Sequence, residues 1–148
     1  MSPIFITLIT IIDFSILSIT VYGAYTKNRN WFILGLCFFN TIPIIGESML
    51  YAQDDALVRL PVIIIFLTQV IITLPIGIKY GADNPAAMAM SQKIGFAVIV
   101  ANLYHGYLIL SESLNNVPMQ FGVFHLCMAG IVLYAIIRSH TSPNSRWT

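Results

Sequence analysis

The chain reads as an all-α integral membrane protein, a five-transmembrane-helix bundle with its N-terminus outside or lumenal and its C-terminus cytoplasmic. Three observations predict this. Hydrophobic residues make up 57% of the 148 positions and charged residues 9%, whereas ordinary globular domains carry about a quarter charged residues. Five apolar runs are long enough to cross a bilayer core, which takes about 20 helical residues. The basic residues fall in alternate connections, as the positive-inside rule requires. Seven Lys and Arg and six Asp and Glu, for a formal net charge of +1, cannot clothe a soluble surface of this size. A basic nucleic-acid binder, an acidic disordered tail and a disulfide-stapled secreted domain are excluded with it. Cys37 and Cys127 lie inside apolar runs and read as small core residues.

The first span, Pro3–Thr26, lacks a positive n-region and is longer than a signal-peptide core, so it reads as an uncleaved helix. It carries Asp13, flanked at helical spacing by Thr10 and Thr20. After Lys27-Asn28-Arg29-Asn30 comes Trp31–Tyr51, with Asn40 and Glu47 seven residues apart on one face and Pro43 on the same stripe. Gln53-Asp54-Asp55 leads to Leu57–Ile78, which carries Gln69, Thr73 and Pro75. The stretch from Pro85 to Lys93 reads as a helical lead-in to Ile94–Glu112, where Asn102, His105 and Glu112 share a stripe. Asn115-Asn116-Val117-Pro118 then turns the chain into Pro118–Arg138, with Gln120 and His125. The short connections make neighbouring spans antiparallel.

With the N-terminus outside, Lys27, Arg29, Lys79, Lys93, Arg138 and Arg146 all fall on the cytoplasmic side, and Arg59 alone falls outside. Each span has one polar stripe on an otherwise apolar circumference, the pattern of a bundle whose polar residues face inward. At 1.5 Å per residue, Glu47 lies about 6 Å from the outer end of its span, His105 and His125 about 10 Å, and Asp13 and Asn102 about 15 Å. An ionisable side chain inside a membrane is costly and by default marks function. The expected catalytic residues are therefore Glu47, Asp13, His105 and His125, in a cavity whose substrate-binding wall includes Asn40, Gln69, Asn102, Tyr104, Phe121 and Phe124.

Carboxylic acids in a low-dielectric cavity hold a proton that they can deliver, and a second carboxylate or histidine can collect one elsewhere on the substrate. Aromatic faces, among them Phe39, Tyr51 and Tyr107, suit an intervening carbocation. These residues are what double-bond isomerisation or cyclisation of an isoprenoid or sterol-like lipid requires. The reading needs no cofactor and no metal. Two further readings use the same residues. A non-catalytic accessory or lipid-binding subunit would sit in a homo- or hetero-oligomeric membrane complex, which suits the near-absence of mass outside the membrane. Alternatively, His105 and His125, at similar depth on antiparallel spans, would ligate a haem, a pigment or a metal. The partner is in each case within the membrane, of the endoplasmic reticulum or of a bacterial cell, and not a nucleic acid.

Three stretches carry a family resemblance: Ile42-Pro-Ile-Ile-Gly-Glu47-Ser-Met-Leu-Tyr51, Gln69-Val-Ile-Ile-Thr-Leu-Pro75 and Asn102-Leu-Tyr-His-Gly-Tyr-Leu108. The layout resembles the emopamil-binding, or EXPERA, family of sterol isomerases and sigma-2-receptor-like membrane proteins. The resemblance implies a first helix followed by a four-helix domain with buried glutamates. Glu47 would be the first buried acid, and Tyr104 falls in the fourth-helix motif. Gln69 stands in the place of the second acid, Pro43 in that of a histidine one turn before the first, and the last span has no tryptophan. The resemblance thus implies the fold more directly than the isomerase activity, and it also accommodates ligand binding without turnover.

Overall fold

In a computed structural model, described for residues 3–73, 85–114 and 116–141, the chain forms five α-helices. They are α1 Pro3–Thr26, α2 Arg29–Asp54, α3 Arg59–Thr73, α4 Pro85–Leu110 and α5 Met119–Thr141. Four of them are long and apolar enough to cross a membrane. The third, at 15 described residues, covers about 22 Å, and positions 74–78 of its expected span lie outside the described residues, with Lys79, Pro75 and Arg146. Helix α1 has the bounds expected from sequence. Helix α4 starts at Pro85 rather than Ile94, because the Ala- and Met-rich lead-in is helical and joins the span without a break.

The helices close into a ring in which α1 packs on α2, α2 on α3, α3 on α4, α4 on α5, and α5 back on α1. The contact between α3 and α4 is the thinnest among the described residues. Local chemistry sets the turns. Asn28 caps α2 by accepting from the Trp31 amide at 3.2 Å. Lys27, Asp55, Glu112 and Asn116 take left-handed backbone conformations at the helix ends. Pro43 is buried inside α2, which continues through it although the Phe39 carbonyl receives no amide hydrogen from that position.

The distribution of side chains inverts that of a soluble protein. Ile4, Ile11, Phe14, Leu57, Ile64, Val100 and other large apolar residues face outward, a surface that lipid rather than water solvates. Asp13, Thr20, Asn40, Glu47, Arg59, Gln69, Asn102, His105 and His125 are all buried. Around them lie two apolar clusters, one centred on Leu17, Phe39, Val98 and Met128, the other on Val62, Phe66, Ile109 and Phe121, with Phe124 packed against both. Cys127, expected in the core, is on the exposed face, and Cys37 is half-buried.

Small residues set how closely the helices approach. A side chain at Gly23 would meet the backbone of Phe32, with its Cα at 2.7 Å, and one at Gly35 would meet Thr20. Gly106 and Gly122 bring α4 and α5 together in the same way, whereas Gly46 and Gly130 face open space. Gly23→Ala is expected to push α1 off α2 and cost about 1–3 kcal/mol, as overpacking does. Gly46→Ala should be neutral or slightly stabilising. Thermal unfolding in mild detergent checks this, and equal effects at the two positions would refute the packing assignment.

Candidate functional site

Of the buried ionisable groups, Arg59, Glu47, His105 and His125 form one hydrogen-bonded chain, and Asp13 lies outside it. At the end of α2, Asp54 accepts from the amide of Ala56 at 3.0 Å and so folds the turn back towards α3. That places Arg59, the first residue of α3, with Nε 3.1 and 3.0 Å from the Asp54 oxygens and Nη2 2.7 Å from Oδ2. Arg59 Nη1 donates to Glu47 Oε2 at 2.6 Å. The other oxygen of Glu47 lies 3.2 Å from His105 Nε2. His105 Nδ1 is 2.9 Å from His125 Nε2, and His125 Nδ1 is 2.7 Å from Asn102 Oδ1. Asn102 Nδ2 donates to the Val98 carbonyl at 2.9 Å and ends the chain.

This relay runs from the membrane edge, where the Asp54 side chain is 30% exposed, to the interior. Its charged middle is buried: the Arg59 side chain is 1% exposed and that of Glu47 4%. Phenylalanine rings enclose the imidazoles, Phe39 against His125 at 4.9 Å between centroids and Phe66 against His105 and His125 at 5.2 and 5.4 Å.

The direction of each hydrogen bond follows from the far end. The Val98 carbonyl only accepts, so it fixes Nδ2 of Asn102 towards itself and Oδ1 towards His125. His125 must therefore donate from Nδ1, and with a neutral ring its Nε2 accepts from Nδ1 of His105. That leaves His105 Nε2 facing a carboxylate oxygen. Two lone pairs would repel at this distance, so one proton lies in the Glu47–His105 contact.

Of the residues singled out from sequence, the fold brings together Glu47, His105, His125 and Asn102. Asp13, Asn40 and Gln69 are buried but lie outside the relay, and atoms of all three have no hydrogen-bond partner. Phe121 is buried and meets Phe124 edge-to-face at 6.2 Å. Tyr104 is 40% exposed on the outer face of α4 and takes no part in the relay. Gln120, at the start of α5, donates to Thr10 at 3.2 Å and pins α5 to α1.

Sequence reasoning missed Arg59, Asp54 and Phe66. Arg59 carried a signal: it is the one basic residue that breaks the charge alternation, and Glu47 is a buried acid in need of a cation. All four ring nitrogens of His105 and His125 are committed within the relay, so a haem or metal would have to displace those bonds. Among the described residues no group of three or more His, Cys, Asp or Glu is placed to hold a metal ion.

Comparison with family models, with curated proteins and with solved structures finds no match for this chain.

Proposed function

We propose that this chain is an intramembrane acid–base enzyme acting on an apolar isoprenoid or sterol-like lipid, with the proton between Glu47 and His105 as the one transferred. The observation that carries the reading is the one-way run of hydrogen bonds from His105 to Asn102, which leaves a single proton facing Glu47. Each neighbour then has a role. Arg59 holds the Glu47 carboxyl in place, while His125 and Asn102 fix the tautomer of His105. The rings of Phe39 and Phe66 pack at steep angles against the two imidazoles, and aromatic faces suit a carbocation. Protonation of an alkene carbon followed by loss of a proton from a neighbouring carbon to the same pair moves the double bond, with no net redox change. Arg59 and Phe66 of α3 and His105 of α4 flank the thinnest seam of the ring, which suits a substrate arriving sideways from the lipid.

The orientation belongs to the same proposal. Arg59, the one dissenter in the basic-residue count, is a buried ion-pair partner and not a loop charge. Without it, the count uniformly favours an outer N-terminus. The relay then opens on the outer side. The resemblance to the sterol-isomerase family remains compatible with Glu47 as the acid, while Gln69 stands apart from the relay.

A second reading rests on the completeness of the same network. Each residue of the relay, from Asp54 through Arg59, Glu47, His105 and His125 to Asn102, has a hydrogen-bond partner, as in a structural lock, and a non-catalytic lipid-binding or accessory subunit would use it so. The discriminating test is solvent exchange. Purified protein in vesicles of the host's total lipid extract, suspended in deuterated water, should add one deuterium per turnover to an isoprenoid-derived lipid, read by mass spectrometry. Absence of any protein-dependent incorporation would sink the enzyme reading and leave the lock.

A further inference from the structure

Beyond the relay, the ring holds a second polar group of residues, and its atoms are unpaired. The Asp13 Oδ1, both amide atoms of Asn40 and the Gln69 Oε1 are buried without a hydrogen-bond partner. The helix contacts put these residues at one level. Thr20 lies opposite Gly35 and Gly23 opposite Phe32 on antiparallel helices, which sets Asp13 opposite Ile42, about 3 Å along the axis from Asn40. Cys37 touches Thr73 at 3.4 Å. Asn40, one turn on from Cys37, is therefore level with Gln69, one turn back from Thr73. The contact of Glu47 with His105 on parallel helices sets Asn40 level with Val98, where the amide of Asn102 ends the relay.

Three helices thus direct polar groups to one depth of the bundle. Unpaired polar atoms are costly in a membrane interior, where no bulk water satisfies them. Their chemistry defines what would pair them. Three oxygens accept and one amide nitrogen donates, so a guest must bring hydrogens and also accept one. A cation would satisfy the oxygens but offers nothing to the Asn40 amide nitrogen. An O–H group accepts from that nitrogen and donates to one of the oxygens, and a water, with two hydrogens, donates to two. We infer that Asp13, Asn40 and Gln69 form a hydroxyl-binding site at the inner end of the relay, filled by trapped water or by the head of a membrane alcohol. Naming the guest extends the acid–base reading to its substrate and, for the alcohol, rests on it. A lipid alcohol seated there would hang its apolar chain along the aromatic walls beside the Glu47–His105 proton.

The test uses the full chain in mild detergent with 1-dodecanol as probe and dodecane as its control without a hydroxyl. Dodecanol is expected to raise the unfolding temperature by about 3 °C or more, with dodecane giving no rise. Asn40→Leu and Gln69→Leu should each erase the rise, while Glu47→Gln, outside this level, should retain it. If water is the occupant, dodecanol gives no shift. The Asn40 side-chain amide protons then show cross-relaxation to a long-lived water in NMR, and Gln69→Leu weakens it. A protein with neither an alcohol shift nor a bound water at Asn40 overturns the inference. A dodecanol shift in a protein inert in deuterated water would retain this site and reject the enzyme reading, so the two fail separately.

Discussion

Arg59→Met is expected to cost the bundle about 3–5 kcal/mol, because it breaks a buried ion pair by removing one partner and leaves Glu47 Oε2 without its donor. Asp54, at the membrane edge, tolerates the loss by turning to solvent. The double substitution Glu47→Leu with Arg59→Met removes both buried charges at once. What remains is an unpaired His105 Nε2, a cost of about 1–3 kcal/mol. The double variant should therefore be more stable than Arg59→Met alone, an inversion that additive effects cannot give. Equilibrium unfolding in mixed micelles measures it. A double variant as unstable as the sum of its singles would show that Arg59 and Glu47 are not a buried pair.

Glu47→Gln separates chemistry from architecture. The amide nitrogen can donate to His105 Nε2, and the amide oxygen can accept from Arg59 Nη1, so both contacts of the carboxyl survive. Charge survives as well, since Arg59 then balances Asp54 alone. Stability should stay within about 1 kcal/mol of the parent protein. The transferable proton is gone, and protein-dependent deuterium incorporation into lipid should fall by about 10²–10⁴-fold. The spectroscopic counterpart is a proton on His105 Nε2 in ¹⁵N NMR, or a carboxylic acid band in the infrared, present in the parent and absent from the variant. A parent protein showing neither signal at neutral pH would refute the direction assigned to the relay. Full turnover in Glu47→Gln would remove Glu47 from the chemistry while leaving it in the lock.

How far the site was legible follows from the kind of information each residue carries. Glu47, His105, His125 and Asn102 stand out in the sequence because each is polar or ionisable within a long apolar run, where its cost demands a reason. Their depths are also countable, since helical rise converts position to distance. Arg59 was legible in principle and missed, because its place at the start of a span invites a loop assignment. The turn at Asp54 carries it inward instead. Tyr104 shows the converse error. It neighbours His105 in sequence, but adjacent residues in a helix point about 100° apart, and Tyr104 faces outward. Asp13 matches Asn102 in depth yet joins a different group, since depth says nothing of rotation about the helix axis.

The scarcity and placement of charge determined by themselves that this is a helical protein of the membrane. They set where its helices run, and they narrowed its chemistry to a few buried polar residues. Hydropathy and spacing suffice for that, because lipid leaves a spanning chain few options beyond the helix. Only the tertiary structure decided which of those residues meet. Closing the ring fixes the rotation of each helix, and rotation decides that two histidines, one glutamate and one arginine share a proton-holding chain. The same closure leaves Asp13, Asn40 and Gln69 at one level with bonds still to make.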